Sequence, residues 1–237
     1  MRIVILRPAV IVACLALGLV AARATSEHEY AKGEYAIIRG GLAPNKQMSL
    51  ASHGEGETGG RNFQVWLMAE PAHRRIALLP GIGGDSESIL DTAPDAFRAD
   101  WSKDSRHVAV LFRSSRMLFE FDFYDINGRR VHRLSAPNLF KEVTHREVTD
   151  DDDERRRIWG IDWGDGKRIV LREYRTFVVS DPAFLPSLGA YGRLAEKLDN
   201  GNLFVTFAAE ADCVLEPGRG YRVVQLRPGN PDDPPHW

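Results

Sequence analysis

The chain has 237 residues, 43% apolar and 27% charged, enough apolar material for a packed core and too much for wholesale disorder. At roughly 150 residues per domain, that length fits one domain or two small ones. The first 24 residues hold three arginines and no acid, so the rest carries a net charge near −5, which argues against a binder that neutralises nucleic-acid phosphates.

Residues 1–24 read as a signal peptide. Arg2 and Arg7 come first, an apolar run follows from Ala9 to Ala22, and Ala22-Arg23-Ala24 supplies small residues for cleavage before Thr25. The alternatives are an uncleaved N-terminal anchor and a lipoprotein, since Ile11-Val12-Ala13-Cys14 resembles a lipobox. Each exports the domain to the periplasm, the exterior or the membrane surface. Without Cys14, Cys213 is alone and no internal disulfide can form; beside Val214 and Leu215 it reads as a buried small hydrophobe.

After residue 30 the signals are those of strands, short β-branched and aromatic runs separated by Gly, Asn, Asp and Pro. A polar turn before an apolar strand recurs four times. The copies are Ala43-Pro44-Asn45-Lys46 before Gln47–Ala51, Ser102-Lys103-Asp104-Ser105 before His107–Phe112, Gly164-Asp165-Gly166-Lys167 before Arg168–Leu171, and Asp199-Asn200-Gly201-Asn202 before Leu203–Ala208. Second strands are expected at Phe63–Ala69, Met117–Ile126, Thr176–Val179 and Cys213–Leu215, and third strands at Arg75–Leu79, Arg129–Leu134 and Tyr221–Leu226.

The clearest hairpin spans Met117 to Leu134. Phe119, Phe121 and Phe123 alternate with polar residues, and Asn127-Gly128 is a strong reversal signal. A two-residue turn there pairs Asp125 with Arg130, Tyr124 with Val131, Phe123 with His132 and Asp122 with Arg133.

Ala99-Asp100-Trp101-Ser102-Lys103-Asp104-Ser105-Arg106-His107-Val108-Ala109-Val110 resembles the blade signature of TolB-type and WD40-like propellers, and Phe123–Arg129 resembles the strand–turn–strand that closes such a blade. The resemblance is good over about 97–136, fair over 158–180 and poor elsewhere. It implies an all-β domain over 25–226 of antiparallel meander sheets, as a small four- or five-bladed or incomplete β-propeller. An open stack of antiparallel sheets is the alternative.

Three segments fall outside the repeat. Ser52–Gly60 reads as a mobile glycine-rich hairpin loop, Glu142–Arg157 as a solvated charged loop, and the proline-rich 227–237 as a disordered tail. The acidic block Asp150–Glu154 lacks the spacing of a calcium loop, and Gly81–Ser86 lacks the Gly-Lys-Ser/Thr end of a phosphate loop. The seven histidines form no metal-binding pair, and no nucleophile motif occurs. The sequence therefore nominates no catalytic residue, metal or cofactor.

The residues singled out for ligand binding are Asp100, Trp101, Asp162 and Trp163. Structurally, each Trp packs between sheets while its Asp accepts hydrogen bonds from a turn. Functionally, the two pairs line a central channel and suit a polar or sugar-like ligand. The favoured function is an exported, non-catalytic binding or scaffold module of the cell envelope, with a protein or envelope component as partner. The alternative is a hydrolase or lyase on a carbohydrate or small ester, with Asp100 and Asp162 as acids.

Overall fold

The computed structural model describes residues 28–55, 61–83, 89–149, 152–164 and 167–236. The leader reading over 1–24, including Cys14, lies outside the described residues, as do 56–60 of the glycine-rich loop and the centre of the turn at 164–167.

The recurring turns organise the chain. The amide of Ala43 donates to Met48 O and that of Lys46 to Ala43 O; in the next copy Ser102 donates to His107 O and Ser105 to Ser102 O. Lys46 and Ser105 take φ of 58° and 59°, so these two turns are the same device used twice. The later copies close with Gly164 donating to Arg168 O and Leu198 to Asn202 O.

Each turn joins a strand to its antiparallel successor. The first gives the meander β1 (Ala36–Leu42), β2 (Met48–Glu55), β3 (Arg61–Ala69) and β4 (Arg74–Gly83), the second gives β5 (Arg98–Trp101), β6 (His107–Arg113), β7 (Phe119–Asn127) and β8 (Arg130–Leu134). β1 and β5 pair in parallel, which fuses both meanders into one eight-stranded sheet of order β4-β3-β2-β1-β5-β6-β7-β8. The sheet curls until its end strands β4 and β8 lie side by side, and Tyr124 OH donates to Pro80 O there at 2.9 Å. A side chain on Gly81 of β4 would run into the Arg133 guanidinium of β8.

The third and fourth turns build a second sheet from β9 (Glu154–Trp163), β10 (Arg168–Val179), β11 (Gly192–Lys197), β12 (Leu203–Glu216) and β13 (Gly220–Pro228), in which β12 takes β10 on one side and both β11 and β13 on the other. The expected second strands at 176–179 and 213–215 are the far ends of β10 and β12, of 12 and 14 residues. Both faces of these strands are covered over much of their length, and no turn residue interrupts them.

Two cores result. One fills the barrel-like sheet, with Tyr30, Leu50, Phe63, Phe97, Trp101 and Tyr124. The other lies between the outer side of β6–β7 and the second sheet, with Leu111, Phe121, Phe123, Phe177 and Phe207, capped by α1 (Leu139–Thr144) and α2 (Phe184–Ser187). In α1, Asn138 accepts from Lys141 N as the N-cap while Leu139 and Phe140 are buried.

The β7–β8 hairpin forms in a register different from the expected one. Gly128, at φ 61°, and Arg129 make the reversal, so Asn127 faces Arg130, Ile126 faces Val131, Asp125 faces His132 and Phe123 faces Leu134. The shift is by two residues, so every side chain keeps its face and the alternation cannot distinguish the two registers. The observed one sets apolar side chains opposite each other on both faces, outweighing surface ion pairs of a few tenths of a kcal/mol each. Asp122 still holds Arg133, as a diagonal pair at 2.5 Å, while Asp125 accepts from Arg106 Nε at 2.9 Å.

The charged stretch 142–157 departs from the solvated loop expected of it. Its described part includes α1's last turn and the start of β9. Asp152 is buried and accepts from both terminal nitrogens of Arg146 at 2.7 and 2.9 Å and from Thr149 N at 2.7 Å. Residues of the proline-rich tail make fixed contacts: Gly229 N donates to Ala208 O, Asp232 accepts a bidentate pair from Arg193, and the His236 carbonyl accepts from Arg98 Nη1.

Gly40 is where the two meanders meet. It has φ 66°, and a Cβ there would stand 2.5 Å from the carbonyl oxygen of Ala99 on β5. Gly128 has a similar φ with nothing within 4 Å of its would-be Cβ. Gly40→Ala is expected to cost about 3 kcal/mol and Gly128→Ala roughly 1 kcal/mol in urea denaturation, the difference being the clash added to the same backbone strain.

Candidate functional site

The two Asp-Trp pairs have different surroundings. Trp101, at the end of β5, points into the barrel, where it is buried and donates from Nε1 to Gly41 O at 3.2 Å. Trp163, at the end of β9, lies between the sheets, with its ring centroid 5.8 Å from that of Phe123 and 6.4 Å from those of His107 and Tyr221. Of the two tryptophans, only Trp163 has the inter-sheet position expected for both.

Among the described residues neither aspartate caps a turn. That work is done by Asn45, Asp104 and Asn200, whose side-chain oxygens accept from the amides of Gln47, Arg106 and Asn202. Asp100 pairs across β5–β6 with Ala109 and so faces the second sheet. Burial pushes its carboxyl above the usual range, Arg98 and the Trp163 indole oppose this, and the charge of Asp162 adds to it. Asp162 points outward from β9, 61% exposed, and pairs with Arg172. The Trp163 indole N–H, beside Asp100, makes no hydrogen bond of good geometry to any protein atom. His107, buried alongside, has its imidazole pushed to lower pKa by burial, with Asp125 3.6 Å away opposing the fall.

Two clefts are described, and neither is lined by Asp100 or Asp162. One, of about 630 Å³, is bounded by Arg168, Asp212, Cys213, Val224 and Gln225 on the second sheet; the other, of about 470 Å³, by Arg146, Asp152, Asp181, Phe184 and Ser187. The carboxylates of both are engaged. Asp212 accepts from Arg227, Asp152 from Arg146, and Asp181 from the Ala183 amide. Burial pushes the Cys213 thiol up to about 12, so it stays protonated and inert at neutral pH.

The densest charged cluster is buried. Glu173 accepts from Arg175 Nε and from Phe140 N at 2.9 Å, and Arg175 Nη1 donates to Glu154 at 3.0 Å. Glu154 also takes Arg157, which continues to Glu120 on β7. Burial raises the carboxyls of Glu173 and Glu120, opposed by these arginines. The chain of ions runs from α1 through β10 and β9 to β7, tying the second sheet to the barrel. Every carboxylate in it has a guanidinium partner, so it locks structure and leaves no group for chemistry.

A surface that sequence reasoning passed over lies on the outer side of β1–β4. Ile37, Ala51, Trp66 and Leu78 are successive cross-strand partners and so form one row. Ile37 is 46% and Leu78 41% exposed. Trp66 is fixed from two sides, with Nε1 donating to Gln64 Oε1 at 3.1 Å and the Arg75 guanidinium 5.2 Å over its ring. The same guanidinium lies 5.4 Å over Tyr35, which stacks on His53 with centroids 4.6 Å apart. The available signal was the period-two alternation of Phe63–Ala69, which places Trp66 opposite in face to Val65 and Leu67.

Set against known proteins, no family model matches the chain, and no curated protein or solved structure matches it. The class it defines is therefore the one its own fold gives: an all-β protein with a nearly closed, barrel-like mixed sheet and a second antiparallel sheet packed on one side. Among the described residues no helix is long and apolar enough to cross a membrane.

Arg175→Met would leave the fully buried Glu173 with the Phe140 amide alone, and is expected to cost about 3–5 kcal/mol in chemical denaturation. The double variant Arg175→Met, Glu173→Leu removes the stranded charge as well and should recover at least half of that loss, roughly 2 kcal/mol.

Proposed function

We propose that the protein is an exported, non-catalytic binding module that receives another protein, or a protein component of the cell envelope, on the outer face of β1–β4. The observation that carries this reading is an inequality between two similar meanders. The outer face of β6–β7 is sealed by the second sheet, whereas the outer face of β1–β4 presents Ile37, Trp66 and Leu78 beside Arg75 and Tyr35. Aromatic and arginine side chains held rigid at the centre of an apolar patch are the usual anchors of protein interfaces. The propeller-like reading belongs to this proposal too: the blade-like signature falls on β5–β8, and β1–β4 is a meander built on the same turn.

A photo-crosslinking residue in place of Leu78 is expected to capture a discrete partner in cells, while one in place of Arg129, at the hairpin tip, captures none. Trp66→Ala should weaken the captured contact about thirtyfold, some 2 kcal/mol, without changing the melting temperature by more than a few degrees. Equal capture at both positions, or none at either, contradicts the reading.

The hydrolase reading is favoured by one observation, the unlike settings of Asp100 and Asp162, one half-buried with a raised carboxyl and one exposed in an ion pair. Asp100→Asn separates the two. Because the folded-state value of Asp100 lies above the unfolded one, its charged form opposes folding at neutral pH and the penalty fades as pH falls. On the binding reading, Asp100→Asn raises the urea midpoint at pH 7, by less at pH 4, and neither protein hydrolyses carbohydrates or esters. On the hydrolase reading, the wild type turns one over and the variant does not.

A further inference from the structure

The segment that leads into β1 is anchored by Tyr30, whose ring is buried in the barrel core with its hydroxyl hydrogen-bonded to Thr92 O and Ser52 Oγ, and beyond Tyr30 its end is held to the outer side of the barrel by imidazoles. His28 Nε2 lies 3.0 Å from Glu34 Oε1, and His53 Nδ1 lies 2.6 Å from the Glu34 carbonyl oxygen. His73, in the turn between β3 and β4, touches the segment one residue further on. Its Nε2 is 2.7 Å from the carbonyl oxygen of Tyr35 and its Nδ1 is 2.8 Å from Glu70 Oε1.

Both partners of His73 only accept. A backbone carbonyl has no proton to give, and an ionised carboxylate has none either. A neutral imidazole carries a single N–H, so it satisfies one of these contacts and turns a lone pair toward the other. The imidazolium alone donates to both. Glu70 does not make up the missing proton. The Ser49 hydroxyl donates to Oε1 at 2.6 Å, and with His73 it holds the Glu70 carboxyl below its ordinary range. The Glu70 and Tyr35 oxygens, in that order, raise the imidazole above its usual 6.5.

The other charged and titratable groups around this turn are Arg74 and Arg75 at the start of β4, Glu34 and Tyr35 on the segment, and His53 on β2. Arg75 is taken up by the rings of Tyr35 and Trp66, and Glu34 by His28. Glu70 is therefore the charge that acts directly on His73.

We propose that protonated His73 is a pH-released latch on the segment 28–35, and through Tyr35 on the Trp66–Arg75 surface. Its regulatory meaning rests on that surface being the contact face; the latch itself does not. When the imidazole loses its proton, the remaining N–H stays with the charged Glu70 and the Tyr35 carbonyl is released. Tyr35 then no longer needs to stand beside Arg75, and the apolar row widens. The sign follows from the direction of the shift: the latch's stabilisation is fully present below 6.5 and is lost as pH rises through the raised folded-state value.

Amide hydrogen exchange of the full chain, corrected for intrinsic rates, reads the latch directly. Protection of a peptide over 28–38 is expected to fall about tenfold between pH 6 and pH 9 in the wild type, the factor that loss of one charge-assisted hydrogen bond gives. His73→Arg keeps a permanent cation with several donors, so protection should stay high at both pH values. His73→Ala should be poorly protected at both. Wild-type protection that does not change with pH, or a pH dependence that survives in His73→Ala or His73→Arg, overturns the proposal. Crosslinking from position 78 at the same two pH values separates the ideas: a pH-dependent segment with no captured partner supports the latch and removes the contact-face reading.

Discussion

Hairpin β6–β7 belongs to two cores at once, and the rest of the molecule is arranged around that fact. All but the last residue of His107–Arg113 are buried. Val108, Val110 and Phe112 point into the barrel, whereas Ala109 and Leu111 point at the second sheet. On β7, Phe121 and Phe123 join the outer core while Tyr124 and Ile126 join the inner one. A strand covered on both faces cannot alternate apolar with polar, and Val-Ala-Val-Leu-Phe does not. This hairpin couples two sheets that would otherwise be separable units.

Burying so much of the interface creates a problem for the polar groups caught in it, and the ion chain from Glu173 to Glu120 is the response. Isolated charges at such depth would cost several kcal/mol each. Linked carboxylate to guanidinium to carboxylate, they mostly offset one another, and their geometry admits one relative placement of β7, β9 and β10. An apolar filling of equal volume would hold the sheets as tightly but would specify their register less well. The raised carboxyls of Glu120 and Glu173 show that compensation is incomplete.

What could be read from the sequence was short-range. Three of the four polar turns stand at a strand junction because Asn45, Asp104 and Asn200 bond the chain two residues ahead, a preference that needs no tertiary partner. The all-β class followed from the same punctuation. The hairpin register was not legible, because a two-residue shift preserves the faces and only the cores distinguish Val131 opposite Ile126 from Val131 opposite Tyr124. Nor was the covering of the Asp152, Glu154 and Arg157 side chains, since Arg175 and Glu120 sit on other strands and Arg146 folds back onto Asp152 across the connection between α1 and β9. Of the nominated residues, only Asp100 and Trp163 are neighbours between the sheets; Trp101 and Asp162 point the other way from Asp100 and Trp163 because adjacent residues of a strand face opposite sides.

The same parity argument explains why the outer surface of β1–β4 went unnoticed and why it differs from that of β5–β8. Ile37, Trp66 and Leu78 are spread over three strands and become neighbours only through pairing. Their counterparts around Leu111 and Phe121 are covered because the chain continues into β9 and α1 on that side. On the β1–β4 side the described cover is residues 28–35, anchored by the buried Tyr30 ring and held at its end by His53 and His73. A short segment pinned at one buried ring differs in kind from a second core. The β-sheet on the far side can leave only if the protein unfolds, whereas beyond Tyr30 the segment here is held by single hydrogen bonds, that of His73 being the one proposed to depend on protonation. That asymmetry between two similar meanders, one sealed by a second core and one covered by a short segment, is what supports placing the proposed contact on the outer face of β1–β4.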